Sequence, residues 1–261
     1  MRAIATICNR DYAGLLEYWL GALQKISDLP VFVFCIDGFS PSLPDNAVQI
    51  MVDATTNPFP VNTPDHVCAE KLRLFEHLPP HITQVLFLDV DILVQHPFWK
   101  SEDYFSISEK MIVMCPDLFV GYKEKMESEF QPFDFSFKMK YNHDGSYFYF
   151  NTGIFFASRT AHAEWFSKFL KTWTEYVKVI GKYPSIFDQN IFNYCLIKNN
   201  LPVYQMQTVN NCLRQYENQT VEGEELLLNG KIVNAYHFNG GDGLKKLKRW
   251  EEMLSKLYAR A

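Results

Sequence analysis

The sequence predicts an α/β fold, a mostly parallel twisted sheet with helices on both faces. Three observations predict it. Short apolar runs rich in β-branched residues alternate with helical stripes through the first half of the chain. Those runs are apolar throughout, as strands covered on both faces require. Hydrophobic residues make up 48% and aromatics 16% of the 261 residues, enough to fill a sizeable core.

The elements follow in order. A strand-like run at 3–8 precedes a helical pattern over about 12–24, with Leu15, Leu16, Trp19, Leu20 and Leu23 on one stripe. Residues 31–36 form a continuous apolar run that Asp37-Gly38 closes as a turn, and 48–52 form another short strand. A helix over about 64–78 stops at Pro79-Pro80, and strands follow at 85–88 and 111–115. The stretch 117–150 breaks this rhythm. It is dense in Phe and Tyr around the turn His143-Asp144-Gly145, and serves either to stack a sugar ring or to pack a hairpin on the core.

A strand at 150–157 is followed by helices at about 160–180 and 188–199, then an apolar strand at 232–235 ahead of a glycine-rich turn. With no repeat, low-complexity tract or linker, one domain over 1–261 is expected. It carries an aromatic, acceptor-side lobe at about 117–150 and a basic helix at about 244–260.

Charge and cysteine usage narrow the class. A net charge of −5 lacks the basic footprint of a nucleic-acid binder. The six cysteines are scattered without metal-ligand spacing, and Cys8, Cys35 and Cys115 lie in apolar runs as small buried hydrophobes, which favours a reducing compartment. The N-terminus enters a strand at once, with no signal-peptide core and no bilayer-spanning run, so a cytoplasmic location is expected.

The most informative stretch is Val85-Leu86-Phe87-Leu88-Asp89-Val90-Asp91-Ile92-Leu93-Val94. Two carboxylates at the end of a buried strand need a cation or strong donors. The natural candidate is Mg²⁺ or Mn²⁺ carrying a phosphorylated ligand, which points to an enzyme acting on a nucleotide diphosphate. The spacing alone proves nothing, because 14 Asp in this chain give roughly 0.7 such pairs by chance. A solvated turn is the usual alternative, but it would not choose flanks of Val, Leu, Phe and Ile. An extended Leu88-Asp89-Val90-Asp91-Ile92 would also put both carboxylates on one side of the chain.

Ligands of open α/β sheets sit beyond the carboxyl ends of the strands, where other polar features fall. Thr6-Ile7-Cys8-Asn9-Arg10-Asp11-Tyr12 follows strand one; Asn9 or Asp11 caps the helix, or Tyr12 stacks on a base. Asn151-Thr152-Gly153 interrupts an apolar strand, as a β-bulge or as a place where a ligand approaches the backbone. Asp188-Gln189-Asn190 opens a helix, for which an N-cap is the plain explanation. His237 precedes Asn239-Gly240-Gly241-Asp242-Gly243, whose successive backbone amides suit anionic oxygens, with Lys245, Lys246, Lys248 and Arg249 next in line.

Together, Phe87-Leu88-Asp89-Val90-Asp91, Phe150-Asn151-Thr152-Gly153, Asp188-Gln189 and His237-Phe238-Asn239-Gly240 resemble the family-8 retaining glycosyltransferases. Glycogenin and the bacterial lipooligosaccharide galactosyltransferases belong there. Pro116-Asp117-Leu118-Phe119-Val120 and Glu70-Lys71-Leu72-Arg73-Leu74 resemble the bacterial members, and the likeness spans about 1–245 in the family's order.

The resemblance implies a GT-A (nucleotide-diphospho-sugar transferase) fold using a UDP-sugar and Mn²⁺ or Mg²⁺. Asp89, Asp91 and His237 would hold the metal. Asn9 and Tyr12 would hold the nucleoside, beside Thr6, Ile7 and Val90. Lys71 would reach the sugar or diphosphate, and Asn151, Thr152, Gly153, Asp188, Gln189 and Gly240 would surround the donor sugar, with Asp117 near donor and acceptor. The family's closing phosphate lysine is displaced here, since position 243 is Gly; Lys245 is the expected substitute.

The expected activity is transfer of a hexose, with retention, to a glycan, glycolipid or protein. Gln189 is a poor nucleophile, and Asp188 a better one chemically. The rivals are a nucleotidyltransferase making sugar nucleotides, which would show a glycine-rich loop after strand one, and an inactive nucleotide-sugar-binding member. Leu244, Leu247, Trp250, Met253, Leu254, Leu257 and Tyr258 recur at helical spacing among basic residues. That stripe suits a peripheral contact with an anionic membrane, or docking onto the domain's own core.

Overall fold

Apolar strands that must be buried on both faces need helices on both faces, and the arrangement of the chain follows from that. A computed structural model of the protein describes residues 1–36, 38–53, 70–118, 149–180, 187–223, 225–239 and 243–258. Among these residues, seven strands form the central sheet: β1 (Arg2–Cys8), β2 (Val31–Ile36), β3 (Ala47–Val52), β4 (Gln84–Leu88), β6 (Ile112–Pro116), β7 (Phe150–Ser158) and β8 (Val203–Gln205). Their spatial order is β3-β2-β1-β4-β7-β6-β8. β7 runs antiparallel to β4 and β6, and the other neighbours are parallel. The sheet is therefore mostly parallel, as expected, with one reversed strand that the sequence pattern did not reveal.

Side chains alternate between two cores. Ala3, Ala5, Ile7, Phe32, Phe34, Val85, Phe87 and Phe155 face one side. There they meet Leu74 and Phe75 of the short helix α2 (Leu74–His77), Trp165 and Phe169 of α4 (Arg159–Ile180), and Ile191 of α5 (Phe187–Lys198). Ile4, Cys8, Val33, Cys35, Leu86, Leu88 and Phe156 face the other side, against Leu15, Leu16 and Trp19 of α1 (Ala13–Gln24), Phe105 of the short helix α3 (Tyr104–Ile107) and Trp250 of α6 (Gly243–Tyr258). The helix expected over about 64–78 is a 3₁₀ turn, Glu70–Arg73, followed by α2; its first residues lie outside the described set.

Two smaller sheets complete the frame. β5 (Ile92–Val94), β13 (Ala235–His237) and β9 (Cys212–Leu213) form one, and β10 (Gln219–Glu222), β11 (Glu225–Leu228) and β12 (Lys231–Ile232) form the other. The apolar run at 232–235 is thus not one strand. It splits between β12 and β13, because Val233 turns back to donate to Leu226 while Ala235 pairs with Val94 of β5.

Among the described residues, Cys8, Cys35, Cys115, Cys195 and Cys212 are free and buried. Burial pushes the Cys35 thiol up to about 11 and, with Cys35 beside it, the Cys8 thiol up to about 12, so both behave as inert core residues. In α6, Trp250 is fully buried against Phe238 and Tyr18, and Met253 packs beside it. Docking on the domain's own core therefore accounts for these two residues of the apolar stripe. No described helix is long and apolar enough to cross a membrane. The aromatic segment expected at 117–150 lies outside the described residues except at its two ends.

Candidate functional site

β4 ends at Leu88, and the chain then turns instead of staying extended. The Ile92 amide donates to the Asp89 carbonyl at 3.0 Å, and Ile92 opens β5 in a different sheet. The expected alternation along an extended strand is therefore corrected: a turn, not the pleat, brings the two carboxylates together. The Asp89 amide is anchored on the Gly153 carbonyl at 2.7 Å, and the Asp91 carbonyl accepts from the Phe238 amide at 3.0 Å.

Antiparallel pairing of β13 with β5 sets His237 opposite Ile92, which delivers the imidazole to the acidic turn. Ligand atoms of Asp89, Asp91 and His237 lie within 4.8 Å of one another. His237 Nε2 is 3.4 Å from Asp91 Oδ1. Its Nδ1 is buried without a partner. Two carboxylate oxygens and an imidazole nitrogen are a donor set that Mn²⁺ or Mg²⁺ accepts, and a buried unpartnered nitrogen is costly without one. Gly153 leaves the room: a Cβ there would lie 2.7 Å from His237 Cε1 and 2.8 Å from Asp89 Oδ2. The residues present fit a divalent metal.

Two lysines flank the acidic pair. Lys246 Nζ lies 2.6 Å from Asp91 Oδ2 and 5.0 Å from the centre of the Tyr12 ring. Lys71 Nζ, buried, lies 3.5 Å from Asp89 Oδ1 and 3.4 Å from the Thr152 carbonyl. Burial alone would raise the Asp91 carboxyl; Lys246 and His237 outweigh it and hold the group ionised, well below the usual carboxylate range. Burial would likewise lower Lys246, but Asp91 raises it above its ordinary value.

Lys245, the expected phosphate lysine, is on the exposed side of α6. Lys246 is the one that enters the site. It shares its helix face with buried Trp250 and inward-packed Met253, four and seven residues on, and that period was the available signal.

The residues expected around the donor sugar form a buried network. Gln189 Nε2 donates to Asp117 Oδ2 at 3.0 Å, while Gln189 Oε1 accepts from Asn151 Nδ2 at 3.1 Å and the Thr152 amide at 3.4 Å. Asn151 Nδ2 also reaches Asp117 Oδ2 at 3.4 Å, and its Oδ1 accepts from the Gly153 amide at 2.9 Å. As one of the two readings expected, β7 bulges at these residues: 151–154 stand opposite the single residue between Met114 and Pro116 of β6. Asn193, which sequence reasoning missed, locks α5 onto β7 by bonding both the amide and the carbonyl of Phe150. Asp188 falls in the first turn of α5, but its side chain, like all of Gly240, lies outside the described set.

Around strand one, Asn9 occupies the N-cap position without making a capping bond. Its Oδ1 and the Thr6 hydroxyl are buried without partners, which leaves both for another group. Ile7 and Val90 point their side chains into the two cores.

Family-level similarity agrees with this geometry. The model of the family described as glycosyl transferase family 8 matches residues 70–253. The chain belongs to glycosyl transferase family 8. Among solved structures, this family 8 chain resembles the galactosyltransferase LgtC in complex with donor and acceptor sugar analogs. The TM-score is 0.61 and the identity 20%, over 99% of this chain and 96% of that one. An active-site mutant of LgtC gives a TM-score of 0.63 at 21% identity over the same shares. The apo form of mouse xyloside xylosyltransferase 1 gives 0.62 at 11% identity, over 91% of this chain and 97% of that one. These likenesses establish the GT-A fold. No curated protein matches in sequence. The protein is a glycosyltransferase.

Proposed function

We propose that this glycosyltransferase moves a hexose from a UDP-sugar to a glycan, glycolipid or protein acceptor, with retention of anomeric configuration and dependence on Mn²⁺ or Mg²⁺. The convergence of Asp89, Asp91 and His237 on one point, with Lys71 and Lys246 on its flanks, carries the reading. LgtC, with the same fold, is solved with donor and acceptor sugar analogs, which supports a sugar donor and a sugar acceptor here.

A metal held by these three residues would act as a Lewis acid, neutralising charge on the departing diphosphate. Every other contribution comes from the chain itself. Lys246 and Lys71 hold positive charge next to the carboxylates and can turn toward phosphate oxygens. Asn9, the Thr6 hydroxyl and Tyr12 supply unpartnered acceptors and a ring face for the nucleoside. Asp117, Asn151 and Gln189 orient the sugar.

Because both functional atoms of the Gln189 amide are engaged by protein donors and acceptors, Gln189 acts in orientation and not as a nucleophile. Acceptor attack on the same face as the departing diphosphate suits that arrangement. UDP release from a panel of UDP-sugars, with Mn²⁺ and with chelator, is the test. Turnover should require the metal and be lost in Asp89→Asn. Unchanged sugar-dependent turnover in that variant would refute the metal reading.

A further inference from the structure

Tyr216 lies 100 residues from Pro116 in sequence, yet its hydroxyl sits on the backbone at Asp117. It accepts a hydrogen bond from the Leu118 amide and donates one to the Pro116 carbonyl, both at 3.2 Å. Asp117 is the residue between them. On the opposite edge, the Asp117 amide donates to the Tyr149 carbonyl at 2.8 Å.

The need for the clasp follows from the sheet. β8 pairs with β6 only over Ile112, Val113 and Met114. On the other side, the β6–β7 register shifts between Met114 and Pro116. Past Met114, among the described residues, no strand satisfies the outward peptide groups of β6. In an extended chain the carbonyl of one residue and the amide two residues on face the same edge. The Tyr216 hydroxyl, donor and acceptor in one atom, takes the missing strand's place at that edge.

Tyr216 is itself held by the metal-side frame. Its amide donates to the Leu213 carbonyl at 3.0 Å. Gln219 Nε2 binds the carbonyls of Leu213 and Tyr216 at 2.9 and 2.6 Å. Leu213 is paired with His237, and the Arg214 amide donates to the His237 carbonyl at 3.3 Å. One phenol therefore couples the strand that carries His237 to the strand end that carries Asp117. Burial raises its pKa, so the proton donated to Pro116 stays in place.

We propose that Tyr216 is a positioning residue that sets the Asp117 carboxylate against Gln189 and Asn151 by clasping the backbone on both sides of it. This rests on the sugar-facing role given to Asp117 above. Tyr216→Phe keeps the ring and its packing while removing both bonds, and a melting curve verifies that it folds.

The tests are hydrolysis of UDP-galactose and UDP-glucose with Mn²⁺, and hydrogen exchange at the Leu118 amide. We expect kcat to fall about 10-fold with the sugar-nucleotide KM within about twofold, and Leu118 exchange to quicken about 10-fold. In an Asp117→Asn background, Tyr216→Phe should cost little further kcat, because the two residues act as a unit. Unchanged kcat, losses that simply add, or unchanged Leu118 exchange would each overturn the proposal. If the wild-type chain hydrolyses neither probe, the donor reading fails on its own, and Leu118 exchange still decides the clasp.

Discussion

Lys246 Nζ lies 2.6 Å from Asp91 Oδ2, so a carboxylate of the candidate metal cluster already carries an ammonium partner. The neighbouring Lys245 is on the exposed side of the same helix. UDP affinity, measured calorimetrically with Mn²⁺ present, should fall about 10-fold in Lys246→Met and stay within about twofold in Lys245→Met. The opposite ranking would return the phosphate role to Lys245.

Asp89 and Asp91 should separate stability from activity. Their side chains are 31% and 6% exposed. Asp91→Asn removes the closest counter-charge of the largely buried Lys246 ammonium, and urea denaturation should show a loss of about 3 kcal/mol. Asp89→Asn also weakens the pairing of buried Lys71, but that pair is longer at 3.5 Å and Lys71 keeps the Thr152 carbonyl, so the loss should be smaller than in Asp91→Asn. Both should abolish turnover. Adding Lys246→Met to Asp91→Asn should restore much of the stability and none of the activity.

Gly153 is required by space. A methyl group there would meet Asn151 Oδ1 at 2.9 Å in addition to its contacts with His237 and Asp89. Gly153→Ala must therefore push the cluster apart. Mn²⁺ affinity, read by electron paramagnetic resonance, should drop about 10-fold or more, as it does when groups supporting metal ligands are disturbed. Affinity within twofold of wild type would show that the cluster does not bind the ion.

His162 supplies a pH signature of folding. Its ring is buried between Phe75 and Trp165, at 4.9 and 4.8 Å. Burial pushes its pKa down to about 3, with its bond to the Lys71 backbone opposing that and Arg159 reinforcing it. The folded histidine stays neutral where the unfolded one, titrating near 6.5, takes up a proton. The unfolded state therefore binds more protons between pH 6.5 and 3, and stability contributed by neutral His162 is lost as pH falls through that window. Denaturation at pH 7 and 4.5 should show a loss of up to about 3 kcal/mol from this group, absent in His162→Phe. Equal losses in both proteins would assign the acid sensitivity elsewhere.

Much of the site was legible in the chain because its chemistry is local. Two aspartates amid Leu, Phe, Val and Ile cannot be a solvated turn without wasting apolar surface, and they meet His237 in the candidate metal cluster. Asn151 and Gln189, polar residues on otherwise buried elements, meet in one network with Asp117. Their joint appearance depended on the rule that ligands collect beyond strand ends. Lys246 was half legible, through its period with Trp250 and Met253.

By itself, then, the sequence determined the alternation of strands and helices, the burial of both sheet faces, and residue types suited to binding metal and phosphate. These follow from periodicity and from the cost of burying charge, which act over a few residues. Tertiary structure alone decided that β7 runs backwards, that a turn joins Asp89 to Asp91, that Lys246 and not Lys245 enters, and that Tyr216 clasps Asp117. Each of these depends on the register between segments far apart in the chain. That register is set by the packing of the two cores, which no local pattern encodes.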